Sequence, residues 1–125
     1  MVEDNWLDSN FNEDEVIESL IVDVDGYEGP LDILLTLARS QKVDVRKISV
    51  LMLAEQYLKF IKEAKELRIE LAADYLVMAA WLAFLKSRLL LPADPSDDGP
   101  SAQELAAYLA FQLERLEAMR THAAK

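Results

Sequence analysis

Apolar residues in this chain recur mostly at helical spacing, and the polar stretches between them mark where helices start and stop. Leu31, Leu34, Leu35 and Ala38 share one face, which predicts a first helix from about Pro30 to Ser40. Asp44 can cap a single turn through Ile48, and Ser49 a long helix from Val50 to about Leu67. On that helix Val50, Ala54, Tyr57, Ile61 and Ala64 recur at spacings of four and three, the seam of coiled-coil-like packing. Leu51 and Leu58 flank the seam on one side, and Leu53, Phe60 and Leu67 on the other. The opposite, polar face carries Glu55, Gln56, Lys59, Lys62, Glu63 and Glu66, with Glu55/Lys59 and Lys62/Glu66 paired at i,i+4.

A third helix is expected from Leu71 to Leu91, with Asp74 its only charge before Lys86. A helix apolar on nearly all sides needs cover on nearly all sides. Either the remaining helices supply it, or part of this surface, or of the Val50–Leu67 face, meets a partner. Residues 92–100 then read as a linker, with three prolines, a glycine and three acids. The capping box Ser101-Ala102-Gln103-Glu104 opens a last helix with the seam Leu105, Leu109, Gln112, Leu116 and Met119. Phe111 points away from that seam and Tyr108 lies at its edge. Two readings stay open: this helix folds back on the others, or it reaches out to bind.

The start of the chain is patterned differently. Residues 1–19 mix acids with isolated Trp6, Leu7, Phe11, Val16 and Ile17, which predicts a mostly disordered leader, with a short helix from Asn12 to Leu20 as the alternative. Ile21 to Asp25 alternates as a short strand would. Gly26 and Gly29 then offer a turn with positive φ at no Cβ penalty, and Pro30 suits the first turn of the helix that follows. The expected fold is all-α: a small helical bundle with a short N-terminal strand, then an acidic linker and a further helix. Its segments are the leader (1–19), the helical domain (20–91), the linker (92–100) and the last helix (101–125).

Charge narrows the function classes. The net charge of −10 lies in the first 28 residues, which hold ten acidic groups and no Lys or Arg; the remaining 13 acids and 13 bases cancel. Phosphate contacts need a basic surface, so direct DNA binding is disfavoured. The acidic N-terminus does not read as a signal peptide, and the longest apolar run, Tyr75 to Leu85, is 11 residues where a membrane span needs about 20. There is no cysteine, hence no thiolate chemistry.

Catalytic chemistry finds little to work with. His122 is the only histidine and is expected at the exposed end of the last helix, where a cation suits the helix dipole. Asp23 and Asp25 before Gly26 fail the calcium-loop pattern, because Ile21 falls at the first ligand position and Pro30 interrupts. Glu13-Asp14-Glu15 reads as a solvated charge run. The glycines fit neither phosphate-binding spacing. No enzyme, metal or cofactor is expected.

Several blocks, in order, resemble one family. Gly26-Tyr27-Glu28-Gly29-Pro30-Leu31-Asp32-Ile33-Leu34-Leu35 resembles the opening signature of segregation and condensation protein A, the bacterial kleisin. Val43 to Ile48, Ala54 to Leu58, Ala72 to Ala80 and Leu85 to Pro92 resemble its later segments, with Arg88 and Pro92 in the last. The match spans residues 20–120. The acidic leader is longer than is usual for the family. The C-terminal winged-helix domain has no counterpart here, so the chain looks like the amino-terminal part of such a protein.

The resemblance implies a non-enzymatic bridge in chromosome condensation and segregation, cytoplasmic and nucleoid-associated, with DNA met only through the complex and no membrane. Its implied partners are the neck coiled coil of an SMC ATPase and a dimer of ScpB. The expected SMC-neck surface is Leu51, Gln56, Tyr57, Leu58 and Ile61, braced by Leu31, Leu34 and Leu35. The expected ScpB surface is Leu105, Tyr108, Leu109, Phe111 and Leu116. Two rivals remain: a stand-alone acidic adaptor that blocks a basic partner, and a carboxylate enzyme built on Asp32 or Asp74.

Overall fold

A computed structural model describes residues 13–123, with side chains to Thr121. Five helices account for most of it: α1 (13–22), α2 (Pro30–Ser40), α3 (Val50–Glu66), α4 (Ala73–Leu90) and α5 (Ala102–Ala123). Single 3-10 turns, Val24–Gly26 and Val45–Lys47, precede α2 and α3. No strand occurs among the described residues.

The α3–α4 pair is the most extensive helix contact, and α2 and α5 pack across it. One core results. It takes Ile33, Leu34, Leu37 and Ala38 from α2, and Leu53, Ala54, Tyr57, Phe60, Ile61 and Ala64 from α3. Tyr75, Leu82 and Leu85 come from α4, Leu109 and Leu113 from α5. The predicted α3 seam is therefore largely an internal seam, widened by Leu53 and Phe60. Tyr57 and Phe60 meet at a ring-centroid distance of 5.8 Å and a tilt of 55°.

The caps follow the sequence. Ser49 Oγ accepts from Met52 N at 3.1 Å, Asp44 Oδ1 from Arg46 N at 2.9 Å. In the capping box, Glu104 N donates to Ser101 Oγ at 3.0 Å and Ser101 N to Glu104 Oε1 at 3.2 Å.

Three expectations near the N-terminus are corrected. The strand at Ile21–Asp25 is instead the end of α1 and the turn after it; Asp23 N donates to Ser19 O at 3.0 Å, continuing the helix. Ile17, Leu20 and Ile21 lie on one helical face and are buried, while Val22 is 80% exposed. Burial of that triplet outweighs a five-residue alternation too short to pair with anything. Residues 13–19, grouped with a disordered leader, thus carry core side chains; residues 1–12 lie outside the described residues.

The glycines are the third correction. Neither is left-handed: Gly26 closes a 3-10 turn and Gly29, before Pro30, is fully extended (φ 164°, ψ −173°). The left-handed residues are Lys42 and Arg68, both at φ 59°, just past the ends of α2 and α3. Beyond α3, Arg68 N donates to Lys65 O at 3.0 Å and Ile69 N to Ala64 O at 2.9 Å, the paired bonds of a Schellman motif.

Candidate functional site

The outer face of α4 stands out. Only Tyr75, Leu82 and Leu85 of its side chains are buried. Leu76, Val77, Ala80, Ala83, Phe84, Leu90 and the adjoining Leu91 are exposed, and their spacing of three and four places them along one side of the helix. Val77 is 68% and Leu90 60% exposed. The bundle does not bury the apolar helix, so of the two readings of this segment an uncovered face is the one observed. An apolar stripe several turns long is a feature that soluble surfaces rarely leave without use.

Neighbouring helices frame the stripe. Lys86 Nζ of α4 lies 3.8 Å from Glu55 Oε2 of α3, which sets the Leu51–Glu55–Leu58 edge of α3 beside α4. Leu51 and Leu58 are half-buried there. Arg88, expected as part of a structural motif, stacks its guanidinium 5.6 Å from the Phe84 ring centroid and pairs with Asp97 Oδ2 at 3.0 Å. It thereby ties the exposed linker after Pro92 to the end of α4.

The other residues expected on the neck surface face inward. Tyr57 has no exposed surface, and its hydroxyl donates to Tyr75 O at 2.9 Å. Burial pushes its hydroxyl pKa up, strengthening its role as a neutral donor. Gln56 is buried and its amide nitrogen donates to Ser40 Oγ at 3.4 Å; Gln41 Nε2 donates to its oxygen at 3.4 Å. Ile61 is in the core. The physical reason is coverage: α4 and α2 take the centre of the α3 face, leaving only its edge. Of the bracing residues, Leu34 and Leu35 are buried and Leu31 is half-buried.

On the far side of α4 an open groove of about 730 Å³ runs between α4 and α5, over the start of α2. Met78, Trp81, Leu105 and Leu116 are among its apolar lining, and Arg120 lies at one end. Of the residues expected to meet ScpB, Leu109 is fully buried, Leu105 and Leu116 are half-buried, and Tyr108 (59%) and Phe111 (58%) are exposed. So α5 folds back on the bundle and still shows two aromatics to solvent.

A polar cluster that the sequence did not single out holds α5 in place. Asp32, nearly buried in the first turn of α2, accepts from Glu28 N at 3.0 Å and from Arg120 Nη1 of α5. Burial alone would raise its carboxyl pKa; the Arg120 and Glu28 bonds, with the charges of Arg120 and Arg39, outweigh that and hold it below the ordinary value. Arg120 also lies 3.7 Å from Glu28, and Arg39 lies 3.5 Å from Glu117. Asp32 is therefore a structural residue, bonded to the backbone that enters α2 and ion-paired to α5. Asp74, its companion in the enzyme rival, is exposed on the first turn of α4.

Among the described residues no group of His, Asp or Glu is arranged to hold a metal ion, and no helix is long and apolar enough to cross a membrane. His122 falls where no side chain is described.

Fold and surface define a class: a domain helical throughout its described residues, whose most prominent feature is an exposed apolar helix face. Within that class the chain belongs to the family described as segregation and condensation protein ScpA, whose model matches residues 37–120. It is 44% identical over 100 residues to segregation and condensation protein A of Xylella fastidiosa, covering 80% of this chain and 33% of that protein. The Coxiella burnetii protein of that name is 43% identical over 100 residues, 80% of this chain and 37% of the relative. The Lactiplantibacillus plantarum protein is 36% identical over 104 residues, 77% and 41%. The chain thus spans roughly a third to two fifths of the length of these relatives.

Proposed function

We propose that this chain is the amino-terminal part of a kleisin that bridges the neck coiled coil of an SMC ATPase to a ScpB dimer in chromosome segregation and condensation. In this reading it is not an enzyme. ATP chemistry and DNA contact belong to SMC, and the protein works in the cytoplasm at the nucleoid. The observation that carries the proposal is the exposed apolar stripe of α4, flanked by Leu51 and Leu58 of α3. A stripe spaced at three and four residues suits knobs-into-holes packing on a two-stranded coil, completing a helical bundle. The neck surface is accordingly drawn on Leu51, Leu58, Val77, Ala80 and Phe84. ScpB is assigned to α5, with Tyr108 and Phe111 the residues already exposed.

Calorimetric titration of the chain with an SMC head bearing its neck coil tests the first half, beside a Val77→Asp/Phe84→Asp variant. Saturable binding by the wild type, lost in a variant with unchanged helical circular dichroism, is the expected result. Equal binding by both would remove α4 from the interface. No binding by either would overturn the bridging role. The acidic adaptor finds less support, since Glu13 and Asp14 are engaged within the chain by Lys59, at 3.9 and 2.7 Å.

A further inference from the structure

The α5 helix is joined to the bundle by a linker exposed throughout residues 91–100, yet it returns to a defined register. Three charges set that register, in antiparallel order. Arg120 meets Asp32 and Glu28 at the start of α2, and Glu117 meets Arg39 near its end. Glu114 attracts Arg46 in the 3-10 turn beyond. The order minus, minus, plus along α5 answers plus, plus, minus across the contact, so a shifted or reversed helix would set like charges together.

Between and beyond these charges α5 buries Leu109 and Leu113 completely and Leu105 and Leu116 in part. These include three of the five leucine and aromatic positions assigned to ScpB. Two helix faces cannot occupy the same leucines at once. We infer that docked α5 is an intramolecular competitor for its own partner: the bundle holds the Leu109 face, and ScpB gains it only when α5 leaves α2 and α4. This rests on the ScpB assignment above and adds regulation to it.

The closed state keeps an apolar helix covered before assembly. Because a ligand sees only the open fraction, its apparent affinity falls in proportion to that fraction. Arg120–Asp32 is nearly buried on the Asp32 side, but the Arg39–Glu117 and Arg46–Glu114 pairs are exposed and individually weak, so the latch is releasable. They are also screened by salt, so opening should be favoured as ionic strength rises.

A Glu117→Arg/Arg120→Glu variant reverses two of the register charges and leaves every apolar residue in place. Amide hydrogen exchange of the 125-residue chain reads the latch, and titration with ScpB from the same genome reads its consequence. The expected result is several-fold faster exchange in α5 with α3 unchanged, and ScpB affinity raised about tenfold as the open fraction grows. Adding Arg39→Glu should bring both values back toward wild type. Faster α5 exchange with unchanged or weaker ScpB binding would overturn the inference alone, placing ScpB on the Tyr108–Phe111 face of a docked helix. Unchanged exchange would show that the charges do not hold α5, which also overturns it. No ScpB binding by any of the three proteins would remove the ScpB assignment, and the competition with it.

Discussion

Asp32 in the first turn of α2 and Arg120 near the end of α5 are 88 positions apart and share a hydrogen-bonded ion pair. The same carboxylate accepts from the backbone of Glu28, so one side chain both fixes the segment entering α2 and anchors α5. Replacing Asp32 with Ala leaves Glu28 N and a half-buried guanidinium without their acceptor. The expected cost is about 1–3 kcal/mol by urea denaturation. Because its folded pKa lies below the ordinary 3.8, the contribution is complete above that value and fades as pH falls through and below it. Asp32→Asn should therefore lose less stability than the wild type between neutral pH and pH values below 3.8. Parallel acid limbs for the two proteins would contradict the pairing.

The sequence made the helices legible because each carries its own punctuation. Ser49, Asp44 and the Ser101/Glu104 box cap where they were expected to, and Pro30 begins α2. What it could not reveal is which of two apolar faces is inside. Tyr57 and Leu58 are neighbours with similar pattern value, yet α4 covers one and leaves the other at the edge. That choice is made by helix packing, which spacing along a single helix does not encode. The pairing of Asp32 with Arg120 was illegible for a related reason: the two lie in different helices, 88 positions apart.

Tyr57 and Leu58 should accordingly respond differently to substitution. Tyr57→Phe keeps the ring against Phe60 but removes the hydroxyl's bond to the Tyr75 carbonyl, for a loss of about 1 kcal/mol. Tyr57→Asp places an unpaired charge in a fully buried position, and the thermal transition should collapse. Leu58→Asp, at the half-exposed edge of α3, should keep a cooperative transition while weakening the SMC-neck contact proposed for that edge. Thermal melts of the three variants separate a core role from a surface role.

Along α4 the same contrast holds within one helix. Leu82 is fully buried, so Leu82→Ala should cost about 2–5 kcal/mol through lost transfer energy and a residual cavity. Val77 is 68% exposed, and Val77→Ala should shift stability by no more than about 0.5 kcal/mol. Denaturant midpoints measure both. A large loss at Val77 would mean that the stripe is covered in the free chain, and would withdraw it as a docking face.

Arg68 offers a test in the stabilising direction. It occupies the left-handed position past α3, at φ 59°, where the Cβ of an L-residue crowds the backbone and glycine does not. The Schellman bonds from Arg68 N and Ile69 N involve only the main chain, so they survive substitution. The arginine side chain is exposed, which leaves little packing to lose. Glycine also adds freedom to the unfolded chain, and that offsets part of the gain. The balance favours the variant: Arg68→Gly should raise stability by about 0.5 kcal/mol, read as a higher urea midpoint at unchanged slope. Arg68→Val should move the midpoint the other way, because β-branching worsens the same crowding. If both substitutions lowered the midpoint, the arginine would have to be making a contact worth more than its backbone strain.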